Sequence, residues 1–235
     1  MTPAVAGPVR AVFFDVDFTL IYPGPTFQGE GYERFCAAHG ITVNAARFEQ
    51  AVAASSFILD DVEEPLYDEG LFIHYTASII EHMGGRGPHV VRAAREIYAE
   101  WALNHHFEMY EDVEPALSRL RARGLIVGLI SNSHRSLDAF RDHFALHGLI
   151  HAWVSSFEHG YMKPHGSIFE AALERAGVPA GAALMVGDSL KADVEGALSA
   201  GLRAVLLRRS GDLPPSRPSG VPVIQTLAEL DALIP

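Results

Sequence analysis

The chain has 235 residues, of which 49% are hydrophobic and 20% are charged, and its formal net charge at pH 7 is −11. This composition is typical of a folded globular protein and excludes the low-hydrophobicity pattern of disordered chains. The negative charge disfavours binding to nucleic acid or to an anionic membrane surface, because both carry charge of the same sign. A small anionic substrate is not excluded, since it needs only a local cationic pocket.

The cysteine content and the apolar runs indicate the compartment. The single cysteine, Cys36, excludes a disulfide within the chain and fits a reducing environment. Residues Met1 to Arg10 lack the charged start and apolar stretch of a signal peptide. No apolar run approaches the roughly 20 residues that are needed to span a bilayer. We therefore expect a cytoplasmic protein that does not span a membrane.

Short apolar segments rich in β-branched residues alternate with amphipathic segments along most of the chain. The apolar segments predict buried strands at 9–15, 125–131, 153–156, 183–188, 204–207 and 222–225. The amphipathic segments predict helices at 114–123, 135–147, 167–176, 192–200 and 227–234. Residues 210–222, rich in Pro, Ser and Gly, predict a surface loop. The alternation of strand and helix predicts an α/β fold with a doubly wound parallel sheet.

The interval 21–111 breaks this alternation, because it contains no strand-like run. It predicts four amphipathic helices, at 29–38, 45–59, 67–83 and 89–105, separated by turn signals such as the glycine-rich stretch 84–88. We therefore predict a core formed by residues 1–20 and 112–235, and a helical domain inserted at 21–111. Because the insert follows the first strand directly, we expect it over the C-terminal end of that strand.

Polar side chains follow the predicted strands at the points where the strands end. These segments are Asp15-Val16-Asp17-Phe18-Thr19, Ser131-Asn132-Ser133, Lys163-Pro164 and Gly187-Asp188-Ser189. Because the carboxyl ends of parallel strands meet at one edge of a sheet, we expect these side chains to gather there. Crowded carboxylates repel one another unless a cation lies among them, and hard oxygen ligands favour magnesium. A helix that begins near Asn132 would add free N–H groups for a phosphate.

These motifs resemble those of the haloacid dehalogenase (HAD) superfamily, in its phosphatase branch with a helical C1-type cap. The motifs that match in order are Asp15-x-Asp17-x-Thr19-Leu20, Ser131-Asn132, Lys163-Pro164, and Gly187-Asp188-Ser189 with Asp193. Each motif alone is weak evidence, but four in order at predicted strand ends are specific. The resemblance implies a Rossmann-like HAD core with a cap inserted after the first motif.

The resemblance also implies an activity, that of a magnesium-dependent phosphatase acting on a small phosphorylated metabolite. Asp15 would attack the phosphorus and form an aspartyl-phosphate, and Asp17 would serve as acid and base. Mg²⁺ would be held by the carboxylates of Asp15 and Asp188 and by the main-chain carbonyl of Asp17. An acid at position 17 fits phosphatases, because superfamily members that displace halide from carbon typically have a non-acidic residue there.

The remaining site residues would bind the phosphate or support these groups. The phosphate would be bound by Ser131, Asn132 and Lys163. Supporting roles would fall to Thr19, Ser189 and Asp193, the last by orienting Lys163 or metal-bound water.

Several alternatives stay open at this point. A phosphomutase or other phosphotransferase would carry the same four motifs, and a binding module could keep the fold without turnover. A monomer and a homodimer are both compatible with the sequence.

Phe18 departs from the family pattern, which most often has glycine there, and we expect it to crowd the entrance and narrow the substrate range.

Overall fold

The computed structural model describes residues 8–60, 65–211 and 218–234. The chain divides into two compact units, which we call the core unit, Met1–Tyr22 with Met109–Pro235, and the helical unit, Pro23–Glu108. Part of the predicted loop 210–222 lies outside the described residues, as does most of the segment Met1 to Arg10. None of the helices in the described ranges is long and apolar enough to cross a membrane.

The strands of the core unit form one parallel sheet. The strands in the described ranges are β1 Ala11–Phe14, β2 Ile21–Pro23, β3 Phe107–Met109, β4 Ile126–Ser131, β5 Ala152–Ser155, β6 Ala183–Gly187, β7 Arg203–Leu207 and β8 Val223–Ile224. The parallel sheet has the order β5-β4-β1-β6-β7-β8, while β2 and β3 pair separately. The six predicted strands and the doubly wound sheet are therefore confirmed. The three-residue strands β2 and β3 were not predicted, because they are too short to show a periodic pattern.

The order of the strands indicates where a ligand would bind. The chain builds β1, β4 and β5 on one side of the sheet and then crosses back to lay β6, β7 and β8 on the other. The direction of winding reverses between β1 and β6, and ligands of such sheets bind at the carboxyl ends of the strands at this reversal. Asp15 directly follows β1 and Asp188 directly follows β6, so both lie at this crevice.

The helices agree with the predictions where amphipathic periodicity is sustained. They are α1 Gly29–Ala38, α2 Phe48–Ser55, α3 Phe57–Asp60, α4 Glu69–His82, α5 Val90–Glu100, α6 Val113–Ala122, α7 Leu137–His143, α8 Ser156–His159, α9 Gly166–Ala176, α10 Gly196–Ser199 and α11 Leu230–Leu233. The helix α1 has the predicted bounds, and α4, α6 and α9 deviate by at most two residues at either end. The one-turn helix α8 was missed, because four residues show no periodicity.

Three predicted helices are interrupted or end early. The prediction 45–59 is split into a 3₁₀ turn at Ala45–Arg47, then α2 and α3, and the prediction 89–105 ends at Glu100. The prediction 227–234 begins with a 3₁₀ turn at Leu227–Glu229, closed by a capping box between Thr226 and Glu229. Caps and short turns of this kind depend on backbone geometry that an apolar pattern does not record.

The predicted helix 192–200 is instead a π-helical segment, Leu190–Glu195, followed by α10. Ser189 caps this segment, because its hydroxyl accepts a hydrogen bond from the N–H of Ala192 at 3.1 Å. The widened turn contains Asp193, whose buried carboxylate belongs to the site described below. π-Helical turns inside helices are rare and often mark functional positions.

The predicted helix 135–147, expected to begin near Asn132, is much shorter. Its first turn is capped by Ser136, whose hydroxyl accepts a hydrogen bond from the N–H of Ala139 at 3.2 Å. The helix ends at His143, and Ala145 then adopts a left-handed φ of 56° without glycine. Residues 132–136 are therefore a loop, and the expectation of helix N–H groups at Asn132 is wrong.

A fully buried apolar layer holds the sheet and its helices together. It includes Phe13 of β1, Ile130 of β4, Val154 of β5, Met185 of β6 and Phe169 of α9. Strands buried in this way are fixed in register, because a slip by one residue would turn their apolar side chains to the wrong face. The strand ends that carry the polar motifs are thus held on a rigid support.

The turn after β1 is tight. The carbonyl of Val16 accepts hydrogen bonds from the N–H groups of Leu20 at 2.8 Å and Ile21 at 3.1 Å, and the N–H of Phe18 donates to the carbonyl of Ile21 at 2.7 Å. This path requires a φ of 64° at Phe18, in the left-handed region that favours glycine. Phe18 therefore occupies a backbone position that glycine would adopt with less strain.

A second anchor of the turn is the ion pair between Arg209 and Asp112. Arg209 donates to the Thr19 carbonyl at 2.7 Å and to the Asp112 carboxylate at 3.0 and 3.1 Å. Asp112 also accepts from the hydroxyl of Thr226 at 2.7 Å and the N–H of Leu227 at 2.8 Å. Burial alone would raise the pKa of Asp112, but these hydrogen bonds and the Arg209 charge outweigh it and lower the pKa below its usual value.

Replacing Phe18 by glycine is expected to stabilise the protein. The side chain is 47% exposed, so its removal gives up little burial while it relieves a left-handed conformation. The free energy of unfolding should rise by about 1 kcal/mol, measured by urea titration. Phe157→Gly is the control, because Phe157 is also exposed but lies in α8. A fall in stability for Phe18→Gly would contradict this account of the turn.

Replacing Asp112 by asparagine is expected to cost about 2 kcal/mol of unfolding free energy at pH 7, because it leaves Arg209 without its charged partner. The lowered pKa means that this contribution is complete above the unfolded pKa of about 4 and is lost as pH falls further through the folded value. Urea titrations of both proteins at pH 7 and pH 3.5 should therefore give a smaller difference at the lower pH. An equal difference at both would show that the carboxylate charge is not involved.

Candidate active site

Asp15 lies at the carboxyl end of β1, in the middle of the sheet. Its N–H donates to the carbonyl of Val186 in β6 at 2.9 Å, which continues the strand pairing by one residue. Its side chain is 12% exposed, and one carboxylate oxygen, Oδ1, accepts a hydrogen bond from Lys163 at 2.6 Å. The carboxylate is thus fixed by a strand on one side and by a cation on the other.

Lys163 is a buried ammonium with three acceptors. Its Nζ donates to Asp15 Oδ1 at 2.6 Å, to Asp193 Oδ1 at 2.7 Å and to the carbonyl of Ile130 at 2.7 Å. Only 2% of the side chain is exposed. Burial by itself would lower the pKa of Lys163, but the attraction of Asp15 and Asp193 outweighs it and raises the pKa above its usual value. The two carboxylates therefore favour the charged ammonium form of Lys163.

Three acidic side chains lie close together beside the ammonium of Lys163. Oxygens of Asp15, Asp188 and Asp193 lie within 4.8 Å of one another. Burial, with the charges of the neighbouring carboxylates, raises the pKa of Asp15 well above its usual value. Burial and the charge of Asp193 raise the pKa of Asp188 to about 7. Three ionised carboxylates beside one ammonium would carry an excess of two negative charges, so the donor set fits a divalent cation with oxygen ligands.

Asp193 is held by close packing against the strand end. A Cβ atom added at Gly187 would lie 2.2 Å from Asp193 Oδ2, so glycine is required for this approach. Asp193 Oδ2 accepts a hydrogen bond from the N–H of Ser189 at 2.9 Å, while Oδ1 faces Lys163. Thr19 is fully buried, and its hydroxyl donates to Asp188 Oδ1 at 3.3 Å. These contacts explain why the motif Gly187-Asp188-Ser189 is followed by an acidic residue in the next turn.

Ser131 and Asn132 differ in what their side chains bind. Ser131 is 1% exposed, and its hydroxyl has no hydrogen-bond partner within the described ranges 8–60, 65–211 and 218–234. The Asn132 amide instead clamps the peptide of Lys163, accepting from its N–H at 2.7 Å and donating to its carbonyl at 2.9 Å. A buried hydroxyl normally has a partner, so Ser131 is suited to a ligand, whereas the Asn132 side chain positions Lys163.

Asp17 stands apart from the carboxylate cluster. Both of its carboxylate oxygens accept hydrogen bonds from Nη1 of Arg135, at 2.9 and 3.1 Å. The Asp17 side chain is 18% exposed, whereas that of Arg135 is fully buried. Arg135 lies in the loop between β4 and α7, and its N–H donates to the hydroxyl of Ser133 at 3.0 Å.

The structure brings most of the predicted residues together. Contacts through Lys163, Asp188 and Asp193 join the predicted set of Asp15, Thr19, Asn132, Lys163, Asp188, Ser189 and Asp193. The chemical roles of these residues stay predictions. Arg135 was missed, because an arginine at the start of a predicted helix is usually solvated, and only its short separation from Ser131 could have drawn attention to it.

Comparisons with known proteins agree with this geometry. Residues 9–201 match the family model described as haloacid dehalogenase-like hydrolase. Human N-acylneuraminate-9-phosphatase is 29% identical, over 96% of this chain and 94% of that protein. The glyceraldehyde 3-phosphate phosphatase of Methanopyrus kandleri is 30% identical, over 91% of each.

Solved structures give the same result. A HAD phosphatase from Thermococcus onnurineus superposes with a TM-score of 0.66 and 25% identity, covering 96% of this chain and 97% of the other. The putative HAD-hydrolase YfnB from Bacillus subtilis has a TM-score of 0.74 at 18% identity, covering 97% and 99%, which shows the shared fold. The chain therefore belongs to the haloacid dehalogenase-like hydrolase family, and its named relatives support its assignment as a phosphatase.

Proposed function

We propose that the chain is a magnesium-dependent phosphomonoester hydrolase that acts on a small phosphorylated metabolite through an aspartyl-phosphate on Asp15. The observation that carries the proposal is the buried Asp15 carboxylate, held at 2.6 Å by Lys163 beside two further acidic side chains. Because this carboxylate is already held in one orientation, less conformational entropy has to be lost when it reaches the transition state.

In the first step, an oxygen of Asp15 attacks the phosphorus in line, and the bond from phosphorus to the ester oxygen breaks. Lys163 offsets the charge shared by the carboxylate and the transferring group. The Ser131 hydroxyl donates to a phosphate oxygen. The Asn132 amide holds the Lys163 peptide in place. Asp17 gives its proton to the leaving alkoxide, which departs as an alcohol.

In the second step, water attacks the phosphorus of the aspartyl-phosphate. Asp17, now a carboxylate, takes a proton from this water as the bond between phosphorus and Asp15 breaks. Inorganic phosphate and the free Asp15 carboxylate are the products. Two displacements of moderate difficulty thus replace one difficult displacement by water.

The proposed metal site contains the carboxylates of Asp15 and Asp188, with the main-chain carbonyl of Asp17 as the third protein ligand. When bound, Mg²⁺ supplies positive charge that screens the nucleophile from the anionic phosphate. The carboxylate of Asp193 is engaged by Lys163 and by the N–H of Ser189, which favours a supporting role.

The names of two relatives support the substrate class that we propose. N-acylneuraminate-9-phosphatase and glyceraldehyde 3-phosphate phosphatase are both named for phosphate esters of small metabolites. We propose a small phosphate ester of this kind as substrate, with residues 21–111 as a specificity cap and with a monomer or a homodimer as the active form. A phosphotransferase with the same residues is the alternative, and it would need an acceptor other than water.

The proposal predicts magnesium-dependent phosphate release from a panel that includes N-acylneuraminate 9-phosphate, glyceraldehyde 3-phosphate and p-nitrophenyl phosphate. Chelation of magnesium should abolish release, because it removes the charge that screens the carboxylate from the anionic phosphate. Asp15→Asn should also abolish release, because it removes the nucleophile. Asp138→Asn is the matched control, since Asp138 is an exposed acidic residue of α7. Loss of release in Asp138→Asn, or release by Asp15→Asn at the rate of the unaltered protein, would contradict the proposal.

Replacing Ser131 by alanine should lower kcat/KM by roughly 10- to 100-fold, because a hydrogen bond to a charged phosphate oxygen is lost. The melting temperature should change little, since this hydroxyl has no partner within the described part of the chain. The control is Ser118→Ala, whose hydroxyl donates to Glu114 on the exposed surface of α6. An unchanged kcat/KM for Ser131→Ala would exclude its proposed contact with phosphate.

A further inference from the structure

Arg135 has a fully buried guanidinium that the proposed steps do not use. Its side chain has no exposed surface, and it is the largest fully buried side chain among the described residues. Burying a charge of this kind is costly unless it is paired and hydrogen-bonded. Such a residue is expected to have a specific partner, and the structure shows which one it is.

The partner is Asp17, and the geometry of the pair is informative. A single nitrogen, Nη1, donates to both Oδ1 and Oδ2, at 2.9 and 3.1 Å. Arginine has only donors, so both oxygens of Asp17 act as acceptors in this arrangement. The Asp17 carboxyl group is therefore fixed in orientation by two contacts, and 18% of its side chain is exposed.

The loop that carries Arg135 is itself fixed. The Ser133 hydroxyl accepts from the N–H of Arg135 at 3.0 Å, and Ser136, the next residue, caps α7. Ser131 ends β4 in the same connection. One loop therefore connects the hydroxyl proposed to bind phosphate with the guanidinium that holds Asp17.

We propose that Arg135 is a positioning residue for the second step, in which it holds the Asp17 carboxylate in the orientation from which it accepts a proton from the attacking water. This inference rests on the proposed role of Asp17 as acid and base. With a substrate whose leaving group needs little protonation, Asp17 is required only to accept the proton of the attacking water. With such a substrate, Arg135 therefore supports hydrolysis of the aspartyl-phosphate more than its formation.

The asymmetry between the steps gives a test that a purely structural role would fail. With p-nitrophenyl phosphate, whose leaving group needs little protonation, Arg135→Met should lower kcat by roughly 10- to 100-fold, a part of what a general base contributes. Because kcat/KM reports only the steps up to aspartyl-phosphate formation, it should change by less than about threefold. KM should fall, and rapid mixing should show a burst of p-nitrophenol equal to the enzyme concentration.

Two further variants keep the test decisive if Arg135→Met does not fold. Arg135→Lys retains the charge and one donor nitrogen, so its burst and its kcat should lie between those of Arg135→Met and the unaltered protein. Arg119→Met is the control: it removes an exposed arginine of α6 that pairs with Asp231, and it should leave all constants unchanged. Equal losses in kcat and kcat/KM without a burst, in whichever of the two Arg135 variants folds, would overturn the inference.

A double-mutant cycle separates failure of this inference from failure of the proposed function. If Arg135 acts through Asp17, Arg135→Met should add less than about twofold to the slow hydrolysis of the aspartyl-phosphate in Asp17→Asn. A full additional loss would show that Arg135 acts elsewhere, while the role of Asp17 would stand. Turnover by Asp17→Asn at the rate of the unaltered protein would instead refute the proposed role of Asp17.

Discussion

The ammonium of Lys163 is the interaction on which the site depends. Buried with only 2% of its side chain exposed, it joins Asp15 after β1 and Asp193 after β6 to the carbonyl of Ile130 in β4. Without this charge, neighbouring carboxylates at the centre of the sheet would repel one another in a dry environment. The Asn132 clamp on the Lys163 peptide and the space left by Gly187 both serve to hold this group in place.

The same electrostatic arrangement divides the acidic residues by role. Asp15, Asp188 and Asp193 share a region in which negative charge exceeds positive charge, which favours a divalent cation and a nucleophile held beside it. Asp17 is only two residues from Asp15, yet it faces a different cation, Arg135. Two carboxylates on one turn thus have separate environments, and enzymes use such differences to assign separate chemical tasks to similar groups.

The sequence predicted the sheet and most of the polar cluster, because buried parallel strands are continuously apolar and their carboxyl ends converge. It did not predict the loop at 132–136, where Ser136 rather than Asn132 begins the helix, or the π-helical turn that holds Asp193. Both depend on hydrogen bonds between side chain and backbone, which leave no periodic signal. Arg135 was missed for a related reason, since the burial of a charge is decided by a partner distant in sequence.

The most direct test of the central claim is to locate the covalent intermediate. The protein would be mixed with magnesium and p-nitrophenyl phosphate, quenched rapidly and treated with borohydride, which reduces an acyl phosphate to an alcohol. Peptide mass spectrometry should then find homoserine at position 15, and Asp17 and Asp188 should be unmodified. A reduced residue at another position, or turnover with no reduced aspartate while the same procedure detects a known acyl phosphate, would contradict the account.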